Sequence, residues 1–260
     1  IQKIGTNNNG FIPNERMARK YGPIVEHIAS SKANVYIDKV VLSEFINRYI
    51  NASKPVYQNL LTLLRNKDYF VITTNVDHQF QRAGFDKKRL FYTQGDYGLF
   101  QSTDRSIQKT YDNEEWVIKA MEAQGFEKDE SGMFVPPKDK RLLMKLPSAL
   151  IPKCPDDGGN VVMNLRSDDS FAEDEGWHKA SAAYADFLNR HEKDHVLYLE
   201  IGVGSNTPVI IKYPFWQMTL ENSKAVYACL NYDEAFCPVG IKERSICIEG
   251  DAGDIIKNLL

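Results

Sequence analysis

Three short runs of this 260-residue chain carry side chains of the kinds that bind and orient a ligand. Thr73-Thr74-Asn75-Val76-Asp77 comes first, then Ala83-Gly84, then Thr93-Gln94-Gly95-Asp96. An amide and a carboxylate two positions apart, Asn75 and Asp77, can orient a ribose or an amide-bearing ligand, and the amide of Gln94 can approach the same space from the next loop. The apolar run Tyr69-Phe70-Val71-Ile72 immediately before them reads as an interior parallel strand, and open α/β sheets bind ligands outside the carboxyl ends of their strands. Asn75 and Asp77 are equally suited to capping a helix, and Gln94 to satisfying loop backbone groups.

Two further segments have the same strand-then-loop form. Val196-Leu197-Tyr198-Leu199-Glu200-Ile201 runs into Gly202-Val203-Gly204-Ser205-Asn206-Thr207-Pro208, whose small residues let backbone N–H groups approach an anion. A strand over 225–230 ends at Asn231, and Ile246-Cys247-Ile248 leads to Gly250-Asp251-Ala252. Helices must lie between these strands. Segments 15–29 and 39–50 have helical spacing, as do Val56, Leu60, Leu63 and Leu64 after Pro55, and Ala180, Tyr184, Phe187 and Leu188 after Trp177. Between about Phe100 and Arg166 the chain turns more often, with Pro136-Pro137, Pro147, Pro152 and Pro155, which predicts a small inserted module. The cluster Tyr213-Pro214-Phe215-Trp216 is expected in the core rather than on a partner surface.

TTNVDHQFQRAG followed by TQGDYG resembles the sirtuin signature, in which an Asn and an Asp line the nicotinamide pocket of NAD. The catalytic His-Gly of that family is here Gln94-Gly95, and the run Gly95-Asp96-Tyr97-Gly98-Leu99-Phe100-Gln101 is similar to the macrodomain-linked subgroup. The resemblance covers the chain from about Pro55 onward. It implies an α/β fold: a Rossmann-like parallel sheet with helices on both faces over 1–99 and 167–260, including an N-terminal helical segment, and a degenerate zinc-ribbon module over 100–166. It implies NAD as cofactor and places Thr74, Asn75 and Asp77 at the nicotinamide end, with Asn75, Asp77 and Gln94 as catalytic residues. Gly202, Gly204, Ser205, Asn206, Asn231 and Asp251 fall on the adenosine side. Arg166, in an N-L-R-x-D-D run, is a candidate for a phosphate or an acceptor carboxylate; pairing with Asp168 or Asp169 is the competing expectation.

The glutamine redirects the chemistry. Sirtuin deacylation needs a base for a ribose hydroxyl, and an amide cannot accept that proton. Transfer of ADP-ribose to a protein, with release of nicotinamide, is therefore expected ahead of lysine deacylation. By resemblance the acceptor is a lipoylated carrier of the glycine-cleavage H type, and a macrodomain hydrolase is a partner.

The family's zinc knuckles are not matched, since Ser102, Ser106 and Asp157 stand where cysteines would be and Cys154 alone remains, so no metal is expected. The family's G-A-G-x-S phosphate loop has only Ile4-Gly5-Thr6-Asn7-Asn8-Asn9-Gly10-Phe11 as its counterpart, which favours a second reading, a degenerate module that binds nucleotide or carrier without turnover. A net charge of -3 supplies no basic footprint for nucleic acid, and no run of apolar residues is long enough to span a membrane. With no signal h-region at Ile1-Gln2-Lys3-Ile4-Gly5 and four cysteines without framework spacing, a cytoplasmic protein with reduced thiols is expected.

Overall fold

The computed structural model of the protein describes residues 52, 54–138, 146–204 and 208–260. The expected helices at 15–29 and 39–50, the Ile4 to Phe11 segment, Ser205 and Asn206 lie outside the described residues. In chain order the elements are helix α1 (Val56–Leu64), strand β1 (Val71–Thr73), the short helix α2 (Gln79–Arg82), and strands β2 (Leu90–Tyr92), β3 (Gly95–Ser102) and β4 (Thr110–Asp112). Helix α3 (Glu114–Gln124), strands β5 (Glu127–Lys128), β6 (Phe134–Val135) and β7 (Val161–Leu165), helix α4 (Glu175–Arg190) and strand β8 (Leu197–Ile201) follow. Helix α5 (Lys212–Glu221), strands β9 (Val226–Asn231) and β10 (Ser245–Glu249) and helix α6 (Ala252–Asn258) complete the chain. They form two compact units. Among the described residues, one contains 75–78 and 94–174, and the other 54–74, 79–93 and 175–260.

The second unit is built on parallel strands. β1 pairs with β2, setting Ile72 opposite Phe91, and β9 lies between β8 and β10, setting Cys229 opposite Cys247. Side chains alternate between the faces of a strand, so each strand must find apolar cover twice. On one face Val71, Leu90, Tyr92, Leu199 and Ile201 pack with Leu60, Leu61 and Leu64 of α1. On the other, Phe70 stacks 5.5 Å from Tyr184 and Phe91 lies 5.1 Å from Trp177, both on α4. Tyr198, Tyr227 and Cys229 close over Phe215 of α5. Helices on both faces of parallel strands are the architecture that the sequence predicts. Phe215 is in the core as expected, whereas Tyr213 is exposed.

The first unit is antiparallel. β3 lies between β4 and β7, with a register shift between Asp96 and Phe100. Phe100, Met163 and Trp116 form its apolar centre, and Trp116 donates its indole N–H to the Leu150 carbonyl at 2.6 Å. Helix α3 ends at Gly125, whose φ of 90° is the left-handed conformation that stops a helix. The 100–166 segment lies wholly within this unit among the described residues.

Candidate functional site

Gln94 lies in the first unit immediately before β3 and is buried, 8% exposed. Its carbonyl accepts the Arg166 backbone N–H at 3.0 Å, and Gly95 pairs with Leu165, so β7 fixes the loop from the other side. Gly95 has a φ of 99°, and a Cβ there would sit 2.0 Å from the Asn164 carbonyl oxygen. No other residue type fits after Gln94. The sequence motif thus has a packing cause: glycine lets β7 approach, and that approach holds the glutamine.

A buried polar network ties the 164–174 segment to the same strand. Asn164 donates to the Gln101 side-chain oxygen at 2.8 Å and to the Ala172 carbonyl at 3.0 Å, while Gln101 donates to the Ser170 carbonyl at 2.7 Å. Gln101 is 2% exposed, so this last residue of the G-D-Y-G-L-F-Q run is architectural.

Arg166 meets neither Asp168 nor Asp169, contrary to the competing expectation for it. Its guanidinium pairs with Glu173 and lies 4.3 Å over the Phe171 ring. Asp169 instead takes Arg105 at 2.8 Å, and the Asp168 carboxyl is held below its ordinary pKa by the Ser170 hydroxyl and backbone N–H. The flat guanidinium prefers a nearby carboxylate that leaves it stacked on an aromatic face, and Glu173, seven residues on, permits both.

Asn75, Val76, Asp77 and His78 belong to this unit too. Asn75 is exposed and Asp77 half-buried, and the segment has no regular secondary structure. The Tyr97 N–H donates to the Val76 carbonyl at 3.0 Å, and His78 Nε2 lies 2.5 Å from Asp96 Oδ1. Sequence reading missed this His–Asp pair. Its only trace in the sequence is a histidine directly after the Asn-Val-Asp run and an aspartate two residues beyond Gln94.

The second unit holds the described members of the other group of expected ligand residues, Gly202, Gly204, Asn231 and Asp251. The Gly202 N–H donates to the Leu230 carbonyl at 2.8 Å and the Gly250 N–H to the Asn231 carbonyl at 2.9 Å. Asn231, buried, donates its amide to the Val203 carbonyl at 3.0 Å. The carboxyl ends of β8, β9 and β10 are thereby locked side by side. Gly202 has a φ of 65°, and among the described residues nothing lies within 4 Å of a Cβ built on it or on Gly204. Asp251 caps α6, accepting the Asp254 N–H at 3.1 Å, and pairs with Lys54 at 3.0 Å, which lowers its pKa. Thr74 directly follows β1 in this unit.

The residues at the expected zinc positions do not fit a metal. Ser102 donates to Asp157 at 3.4 Å, the Cys154 thiol donates to the Tyr111 hydroxyl at 3.5 Å, and Lys109 pairs with Asp156 at 2.5 Å. An ammonium and hydroxyls occupy carboxylates that zinc would need, leaving one thiolate donor. The Asp156 to Gly159 segment is a turn closed by the Gly158 N–H on the Cys154 carbonyl at 2.8 Å. Among the described residues no group of three or more His, Cys, Asp or Glu is arranged to hold a metal, and no helix is long and apolar enough to cross a membrane. All four cysteines are free thiols.

No family model matches the chain. Over 223 residues, 83% of the chain, it is 33% identical to a Staphylococcus aureus protein named protein ADP-ribosyltransferase, and it spans 65% of that relative. Over 219 residues, 80% of the chain, it is 27% identical to a Fusarium oxysporum f. sp. cubense protein named probable bifunctional ADP-ribose hydrolase/ADP-ribosyltransferase, and it spans 34% of that one. A solved Sir2–p53 peptide–NAD+ structure matches with a TM-score of 0.51 at 15% identity, covering 100% of this chain and 88% of that chain. A Sir2 homolog–NAD complex matches with a TM-score of 0.50 at 14% identity, covering 100% and 84%. At such identity the likeness is one of fold. The chain has the fold of the sirtuins, and a protein named protein ADP-ribosyltransferase is among its sequence relatives.

Proposed function

We propose that the protein transfers ADP-ribose from NAD to a protein acceptor and releases nicotinamide. The observation that carries this reading is Gln94, a buried amide anchored through its own carbonyl and the following glycine at the place where sirtuins have a histidine base. An amide cannot take the proton that deacylation requires, but it can orient an attacking group by hydrogen bonding. The relative named as an ADP-ribosyltransferase supports the same direction.

In this reading Asn75 and Asp77 hold the nicotinamide ribose, with Thr74 beside them, and Gln94 orients the acceptor. Gly202, Gly204, Ser205, Asn206, Asn231 and Asp251 take the adenosine side. Bound NAD supplies an activated glycosidic bond, whose cleavage is favoured by dipoles preorganised around the sugar. Arg166, paired with Glu173, remains the candidate for a phosphate or an acceptor carboxylate. A lipoylated carrier is the proposed acceptor and an ADP-ribose hydrolase the proposed partner; the second relative's name joins hydrolase and transferase in one protein, which fits that pairing.

The deciding experiment is calorimetric titration of the protein with NAD, nicotinamide release being followed in the same samples with and without a lipoylated carrier. Saturable binding, with release that rises on adding carrier, is the expected result. Binding without release under both conditions would overturn the transferase reading in favour of a nucleotide-binding module.

A further inference from the structure

We propose that His78 and Asp96 form a strut that holds Asn75 and Asp77 in register with Gln94, making His78 a positioning residue for the transfer. The inference rests on the transferase reading for its kinetic consequence, and on geometry alone for the strut.

The segment 75–78 has no regular secondary structure, so tertiary contacts, including those to β3 of its own unit, contribute to its orientation. His78 Nε2 and Asp96 Oδ1 are 2.5 Å apart, with side chains 20% and 19% exposed. A short contact between groups mostly shielded from water is stronger than a surface pair of the same kind. Asp96 Oδ1 also accepts the Gly98 N–H at 2.7 Å, which fixes the carboxylate on its own strand. One residue beyond Asp96 and two before His78, the Tyr97 N–H meets the Val76 carbonyl at 3.0 Å. The two links run in parallel, one through backbone and one through side chains, and together prevent the segment from pivoting about either.

Gly98 supplies an independent sign that the ring's place is built in. A Cβ there would lie 2.6 Å from His78 Cε1 and 2.9 Å from Nε2, so the position is kept free of a side chain to seat the imidazole. The far side of the seat is rigid as well. Asn113, 1% exposed, donates its amide to the Tyr97 carbonyl at 2.8 Å and its backbone N–H to the Gly98 carbonyl at 3.1 Å. Asp96 lies two residues after Gln94 on the same strand run, so a load on His78 passes to the glutamine through Gly95, which cannot itself move against Asn164.

The test compares His78→Leu, His78→Gln and Gly98→Ala with the wild type. Gln places a donor nitrogen close to the position of Nε2, whereas Ala at position 98 leaves both side chains chemically intact but crowds the ring, and to a lesser degree Asp96 Oδ1 at 3.1 Å, out of place. Nicotinamide release is expected to fall in kcat by roughly 10-fold or more in His78→Leu and Gly98→Ala, with KM for NAD changing less, and to recover in His78→Gln. Backbone amide hydrogen exchange over 75–78 is expected to quicken in the two disruptive variants while exchange in β9 does not. Unchanged exchange at 75–78 in folded His78→Leu and Gly98→Ala would overturn the strut. Quickened exchange with unchanged kcat would overturn the positioning role. A wild type that releases no nicotinamide but shows the exchange response would remove the transferase reading and leave the strut standing.

Discussion

Lys212 donates to Glu200 across 3.0 Å with the two side chains 2% and 0% exposed, so the second unit carries a full ion pair in its interior. The Tyr227 hydroxyl donates to the other carboxylate oxygen, and Lys212 also lies 4.8 Å over the Phe236 ring. These two residues flank the loop that begins at Gly202. Removing one partner of such a pair leaves an uncompensated charge and costs about 3–5 kcal/mol. Lys212→Met is therefore expected to lower stability by that order in denaturant titration, and the double variant Lys212→Met with Glu200→Leu to recover much of the loss.

Burial, reinforced by the Glu200 charge, pushes the Cys229 thiol up to about 11. Only the thiolate is nucleophilic. At pH 8 the native protein is expected to leave Cys229 unalkylated by iodoacetamide while the denatured chain is labelled there, as read by peptide mass spectrometry. Equal labelling of both would contradict the buried assignment.

Asn75→Ala is expected to abolish nicotinamide release with the fold intact by circular dichroism, and Gln94→Ala to reduce it by roughly 10-fold or more. Unaltered rates in both would refute the assignment of these residues. Gly95→Ala should behave differently. With a Cβ 2.0 Å from a backbone carbonyl at a φ of 99°, it is expected to destabilise the first unit by several kcal/mol, on the order of the larger strain effects, and so to fail in a thermal melt before any rate is measured.

Asp68 is held below the ordinary carboxylate value of 3.8, first by Arg89 at 2.5 Å and then by His191 at 3.1 Å. A depressed folded-state pKa contributes stability that is fully present above 3.8 and is lost as pH falls through the folded-state value. The Asp68 side chain is 44% exposed, and solvent screening limits the effect to about 1 kcal/mol or less. Asp68→Asn should thus be slightly less stable than the wild type at pH 7, and the gap should close below that window in acid unfolding curves.

A chelator such as EDTA is expected to leave the melting temperature unchanged within about a degree, because Lys109, Ser102 and Tyr111 already satisfy the groups around Cys154, Asp156 and Asp157. A fall of several degrees, reversed by zinc, would contradict this.

Parallel strands β1, β8, β9 and β10 were legible because each is a short apolar run ending in polar or small residues, and their observed limits lie within two positions of those expected, β1 being Val71–Thr73 rather than Tyr69 to Ile72; β2, only Leu90–Tyr92, was not read. The glycine after Gln94 could be matched to a motif, but its cause could not be read, since it depends on Asn164 arriving from a distant strand. For Arg166 sequence proximity offered Asp168 and Asp169 as the competing partners, and the guanidinium pairs with Glu173 while lying over Phe171 instead. The His78–Asp96 pair spans 18 residues and breaks no local pattern, so periodicity and propensity are blind to it.

Gln101 and Ser170 are bonded across 69 residues of sequence, and Gly95 is paired with Leu165 over a similar span. Closing so large a loop costs entropy before any contact rewards it, and such pairings form slowly. The setting of Gln94 therefore cannot be completed on a nascent chain until β7 has been synthesised. Thr93 and the glutamine beside it thus mature on different clocks: Thr93 binds Thr73, 20 residues back, while its neighbour waits for a strand not yet translated.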